Sequence, residues 1–303
     1  MRAPAHRVRA AGRVLELGAR PWLMGIVNAS PDSFSDGGLH PTLDAQLALA
    51  HELAVAGADV IDVGGESATT GRPALDPERE TELVVPLVAR LAAELDAVIS
   101  IDTYKPAVAR AAIAAGASIV NDVSGLRDPV LADVCAQTGA ALVVMHTLAR
   151  PRLRLQDPEQ YEDVVAEVEV FVRERMALAL ARGVQPEQLI VDPGPDFTKT
   201  PAQTIALLRD VARLHGLGRP LLLAISRKDF IGALTGRPPR GRLPGTLAAL
   251  AHGADAGAQL FRVHDVAAAA EFLAVRAALA GELEAGSDLV LAEELRHEPI
   301  AAE

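Results

Sequence analysis

Eight short apolar runs along the chain end in residues equipped for chemistry. Trp22–Asn28 ends in an amide, Asn28. Val60–Gly65 carries Asp62 and continues into Glu66-Ser67. Val98–Thr103 ends in Asp102-Thr103, and Ile119–Val123 carries Asn121-Asp122. Ala141–His146 closes on Met145-His146, and Leu189–Gly194 on Asp192-Pro193-Gly194. Leu221–Ser226 leads into Ser226-Arg227-Lys228, and Leu260–Asp265 holds Arg262, His264 and Asp265. A polar group in an apolar strand costs free energy if it is buried alone. One such residue is readily structural, but a fold needs no ring of them. Asp62, Asp102, Asn121 and Asp192 suit a flat heterocycle with N–H donors and ring acceptors, because a carboxylate accepts two N–H bonds and an amide both gives and takes. Lys228, Arg262 and His264 suit an anion.

These residues need elements to position them. Each run is nearly continuous in hydrophobicity, as in parallel strands buried on both faces. Helix-period stripes lie between them, such as Leu83, Val84, Leu87, Val88 and Leu91, or Val165, Val168, Val172 and Met176. Gly57, Gly116, Gly139, Gly183 and Gly257 stand where helices would be capped before the next strand. Eight strands alternating with eight helices predict a (β/α)8 TIM barrel. A doubly wound open sheet is the alternative, but no GxGxxG follows the first strand. Arg7–Pro21 is expected to form a short hairpin capping the barrel bottom. The expected organisation is one domain over residues 1–283 and a polar, acidic, flexible tail over 284–303. In such a barrel chemistry sits at the C-terminal strand ends, with phosphates after strands seven and eight.

Composition narrows the function further. The 303 residues carry a formal net charge of -11, which argues against a nucleic-acid or anionic-membrane partner. The single cysteine, Cys135, lies in an apolar run and reads as a buried core thiol, with no disulfide framework. The basic N-terminus lacks the apolar stretch of a secretory signal, and no apolar run reaches the roughly 18 residues of a membrane span. A cytoplasmic protein is expected.

In order along the chain stand Met24-Gly-Ile-Val-Asn-Ala-Ser-Pro-Asp-Ser-Phe-Ser-Asp-Gly-Gly, Ile61-Asp-Val-Gly-Gly-Glu-Ser, Ile99-Ser-Ile-Asp-Thr-Tyr-Lys-Pro, Val120-Asn-Asp-Val, Val144-Met-His, Val191-Asp-Pro-Gly, Ile225-Ser-Arg-Lys and Arg262-Val-His-Asp. The set resembles the dihydropteroate synthases, over roughly Pro21 to Leu283. The resemblance implies condensation of 6-hydroxymethyl-7,8-dihydropterin pyrophosphate with 4-aminobenzoate, giving dihydropteroate and pyrophosphate. It implies that Asp102, Asn121, Asp192 and Lys228 hold the pterin, with Asp62 and Met145 also at the substrate. It places Mg2+ on Asn28, pyrophosphate on Arg262 and His264, and aminobenzoate near Phe197, Ser226 and Arg227. Arg262, His264, Lys228 and Asp102 are the implied catalytic residues, and a homodimer is the implied assembly.

Two loops depart from the family pattern. Where Thr-Arg-Pro-Gly is usual, the chain has Ala68-Thr69-Thr70-Gly71-Arg72-Pro73, in which Arg72, Thr69 or Thr70 would stand in. Where a Gly-Phe-Gly-Phe-Gly-Lys type run is usual, it has Pro195-Asp196-Phe197-Thr198-Lys199, so Asp196 adds a negative charge near the expected aminobenzoate. Ala224 stands where Gly is common. A diverged pterin-binding paralogue with little or no synthase activity is therefore the alternative reading. A pterin barrel that passes a methyl group to a corrinoid partner is a third, and the cations Arg262, His264 and Lys228 argue against it.

Overall fold

Along a strand, side chains alternate between the two faces of the sheet. In this chain that alternation separates a barrel wall from a barrel interior. The computed structural model describes residues 3–29, 42–66, 74–284, 286 and 288–296. Eight parallel strands form the wall: β3 (Trp22–Asn28), β4 (Val60–Gly64), β5 (Val98–Asp102), β6 (Ile119–Asp122), β7 (Ala141–Met145), β8 (Leu189–Asp192), β9 (Leu222–Leu223) and β10 (Leu260–Val263). They pair in the order β8-β7-β6-β5-β4-β3-β10-β9, and a parallel bridge between Val191 and Leu221 closes the ring. This is the predicted TIM barrel.

The helices α1 (Leu43–Val55), α2 (Pro77–Glu94), α3 (Pro106–Ala114), α4 (Val130–Thr138), α5 (Val164–Ala181), α6 (Pro201–Arg209), α7 (Asp229–Thr235), α8 (Leu243–Asp255) and α9 (Val266–Leu279) surround it. Two helices, rather than the expected one, lie between β9 and β10. The reason is local: α7 stops at Gly236, with φ of +68°, and Pro238-Pro239 cannot extend it. Cys135 is free and buried in α4.

The strand β9 is much shorter than the apolar run that predicts it. Side chains replace the ladder at both of its ends. The Leu221 N–H donates to the Gln259 Oε1 at 2.7 Å, and the His264 N–H donates to the Ser226 Oγ at 3.2 Å.

Inward-pointing Met24, Val60, Val98, Ile119, Val143, Ile190, Leu222 and Leu260 pack into a dry floor. An antiparallel hairpin of β1 (His6–Ala10) and β2 (Arg13–Leu17) seals that floor, burying Val8, Ala10, Leu15 and Leu17 against it. One step of two residues further along, the inward positions become Asp62, Asn121, Met145, Asp192 and Arg262. One strand period thus separates an apolar floor from a polar mouth. Ala224, at the family's usual Gly position, belongs to the floor cluster. Of the tail, the described residues carry one 3-10 turn, Glu293–Leu295.

Candidate active site

Arg262 organises one side of the mouth. Its Nε donates to the Asp62 Oδ2 at 2.7 Å and its Nη2 to the Asp102 Oδ2 at 2.9 Å. The Asn121 amide donates to the same Asp62 oxygen at 3.0 Å. Asp62 is fully buried and its Oδ1 has no hydrogen-bond partner among the described residues. Burial raises the pKa of Asp102, with Arg262 opposing and Asp62 reinforcing the shift. The expected heterocycle and anion sides therefore meet at one guanidinium.

Asp192 and Lys228 come from the other side. The Asp192 Oδ1 accepts from the Gly194 N–H at 2.7 Å, and burial pushes its carboxyl up to about 6. Gly194 has φ of +65°, and a Cβ there would meet the His146 carbonyl oxygen at 2.2 Å, so only glycine fits this turn. Lys228 precedes α7, and its Nζ lies 4.5 Å from the centre of the Phe197 ring. Burial lowers the pKa of this lysine, and Asp196 and Asp192 counter the shift. The added carboxylate of Asp196 turns toward the start of α7, where its Oδ2 accepts from the Asp229 N–H. That contact spends the charge on a helix N-terminus.

The remaining predicted residues divide. The Ser226 Oγ lies 3.0 Å from the His264 Nδ1 and so orients that ring. Arg227 forms a two-pronged ion pair with Asp265, at 2.7 and 3.1 Å. Met145 is buried at the end of β7. Asn28 ends β3 beside Gly64 in register. A Cβ on Gly64 would lie 3.6 Å from the Cβ of Asp102 and 3.9 Å from the Oδ1 of Asn28, so glycine keeps that gap open. The altered loop Ala68–Pro73, with Arg72, lies outside the described residues.

Sequence reasoning missed the supports around this mouth. The Lys105 Nζ donates to the Glu66 Oε1 at 2.6 Å, to the Leu75 carbonyl at 2.7 Å and to Glu80. Burial raises the pKa of Glu80 even so. The segment after β7 supplies two further supports. Arg152 reaches Glu66 at 3.3 Å, and Arg154 reaches Asp229 at 2.7 Å on the opposite side. The Arg-x-Arg-x-Arg spacing of Arg150, Arg152 and Arg154 was the available signal. Among the described residues no cluster of three His, Cys, Asp or Glu side chains is set to hold a metal.

An eight-stranded barrel whose mouth carries facing carboxylates, an amide and cations defines an enzyme that binds a polar heterocycle and an anion. The chain belongs to the pterin-binding enzyme family, which matches residues 24–264. Its relatives there include the dihydropteroate synthase of Synechocystis sp., 41% identical over 88% of this chain and 92% of the relative. That of Escherichia coli K12 is 39% identical over 88% of this chain and 94% of its own length. Among solved structures, Xanthomonas albilineans dihydropteroate synthase with 4-aminobenzoic acid superposes with a TM-score of 0.83 at 44% identity, covering 91% of this chain and 99% of that one. The same enzyme in complex with 7,8-dihydropteroate gives a TM-score of 0.80 at 43% identity, over 90% and 98% of the two chains.

Proposed function

We propose that the chain is a dihydropteroate synthase. The methylene carbon of the dihydropterin pyrophosphate forms a bond to the aminobenzoate nitrogen while its bond to the pyrophosphate oxygen breaks. The nitrogen loses one proton, and pyrophosphate leaves. The observation that carries this reading is the Arg262 guanidinium held between Asp62 and Asp102 beside Asn121. It puts a fixed positive charge next to carboxylates suited to the amino-pyrimidine edge of a pterin.

Asn121 and Asp192 present an amide and a carboxylate to that edge, and Asp102 adds a second carboxylate. Lys228 and the face of Phe197 bracket the next layer outward. Arg262 offers positive charge and His264 a ring N–H donor to the departing pyrophosphate, which leaves more easily as its charge is neutralised. Asn28 fits a Mg2+ ion, since one amide oxygen is enough when phosphates and water complete the shell, and Gly64 leaves room beside it. Bound there, the ion would share the neutralisation of the pyrophosphate. Ser226 and Phe197 are the residues proposed to receive aminobenzoate.

We also propose a homodimer formed through outer helices, which the exposed apolar Val275 and Leu279 of α9 support. A cytoplasmic location fits the absence, among the described residues, of any helix long and apolar enough to cross a membrane. The direct test is release of pyrophosphate from both substrates with Mg2+. The expected result is release matched by dihydropteroate formation. Tight pterin binding with no release at saturating substrates would instead make the chain a pterin-binding paralogue.

A further inference from the structure

Lys199 is wholly buried and is among the largest side chains to be so among the described residues. An ammonium has three N–H donors, and this one meets three acceptors. They are the His146 Nδ1 at 2.7 Å, the Gly194 carbonyl at 3.0 Å and the Phe197 carbonyl at 3.0 Å. Burial, with Lys199 beside it, holds the pKa of His146 down to about 2, so its Nδ1 remains a lone-pair acceptor. The His146 ring is itself packed edge-on against Phe171, with centroids 4.8 Å apart. The anchor is therefore rigid.

The segment that Lys199 holds has no ladder of its own. Gly194, Asp196 and Thr198 all have positive φ, of +65°, +66° and +52°. At the two that are not glycine this backbone is strained and persists only if its surroundings enforce it. Phe197 sits between those two residues. Asp192, by contrast, lies on β8, paired with β7 at Met145. Besides Lys199, the curl is held by the Phe197 N–H on the Gly194 carbonyl at 3.1 Å, the Tyr161 hydroxyl on the Thr198 carbonyl at 3.0 Å, the Leu148 N–H on the Thr198 Oγ1 at 3.2 Å, the Asp196 N–H on the Thr204 Oγ1 at 3.1 Å and the Asp229 N–H on the Asp196 Oδ2. Among the described residues, Lys199 is the side chain that ties both the Gly194 and the Phe197 carbonyl to His146 at the end of β7.

We propose that Lys199 is a positioning residue for the second substrate: it draws the Gly194 and Phe197 carbonyls onto His146 and so fixes the Phe197 ring against Lys228, where aminobenzoate docks. The inference rests on the synthase reading above. It separates the two substrates, because loss of Lys199 releases Phe197 from the curl but leaves Asp192 on its strand.

The test is Lys199→Met, similar in length and without donors, assayed by pyrophosphate release. The expected result is a rise of about tenfold in KM for aminobenzoate, with kcat and the KM for the pterin pyrophosphate within about twofold of wild type. In a Phe197→Ala background, Lys199→Met should raise that KM no further, as for residues acting through one another. A folded Lys199→Met chain with unchanged KM for aminobenzoate overturns the proposal. So does an equal loss in kcat and both KM values, the mark of general support. If Lys199→Met fails to fold, Lys199→Leu, shorter and likewise without donors, is judged by the same criteria. If the wild-type chain binds pterin but releases no pyrophosphate, the synthase reading fails separately. The comparison is then made by calorimetry of aminobenzoate on the pterin-loaded proteins, where equal Kd values overturn the role of Lys199.

Discussion

At the scale of single residues, Arg262 has a structural task beside the chemical one proposed for it. It is the cation beside Asp62, a carboxylate with no exposed surface. Breaking a buried ion pair from one side leaves an uncompensated charge and costs about 3–5 kcal/mol. We therefore expect Arg262→Ala to lose both activity and stability, with its Tm falling on a thermal melt. Asp62→Asn combined with Arg262→Met should recover most of the Tm and none of the turnover. Asp192 gives a second expectation, with its sign fixed by linkage. Its folded pKa of about 6 lies above the ordinary 3.8 of the group. The folded chain thus holds a proton there that the unfolded chain has lost. The stability this contributes is full below the unfolded pKa and is gone once pH has risen through about 6. Asp192→Asn should therefore stabilise the ligand-free protein at pH 8, by up to about 2–3 kcal/mol. In the wild type, pterin affinity measured by calorimetry should fall as pH drops below about 6, where the carboxyl stops accepting N–H bonds. The types and strand-end places of these residues were legible from spacing. Their mutual contacts were not, because a one-dimensional pattern does not say that the guanidinium from β10 reaches Asp62 and Asp102 together.

At the scale of elements, the segment carrying Arg152 and Arg154 illustrates how burial decides what an ion pair is worth. The Arg152 side chain is 12% exposed and its partner Glu66 9%, whereas Arg154 and Asp229 are 59% and 42% exposed. Exposed pairs contribute roughly 0–1 kcal/mol, while a buried carboxylate that loses a partner costs more. Arg152→Ala should lower Tm clearly and Arg154→Ala by less than about a degree, a contrast read from two melting curves. Equal effects would show that the buried end of this segment carries no special weight. Periodicity located all eight barrel strands, yet overran β9. There, Gln259 and Ser226 take over bonds that backbone groups make elsewhere, and a side chain filling a ladder position leaves no periodic trace. The run Pro195–Lys199 likewise read as an altered loop around Asp196. Its lysine proved to be buried and its aspartate to cap α7, because the curl turns both side chains by positive φ that sequence does not display.

At the scale of the whole molecule, the class of fold followed from eight apolar runs, their Gly caps and the helical stripes between them. The extra helix between β9 and β10 escaped that reading, although Gly236 and Pro238-Pro239 mark its end. The hairpin was legible as an addition at the bottom, and its packing shows what that addition accomplishes. Val8, Ala10, Leu15 and Leu17 close the lower end with buried apolar side chains packed against the floor. The barrel is thereby a well rather than a tunnel. With the pterin at Asp62 and Asn121 and the aminobenzoate at Phe197, as proposed above, the pterin would have to arrive first. The joined product can be lifted out only by the door through which its parts came. Sealing the bottom thus imposes a queue on the traffic at the top.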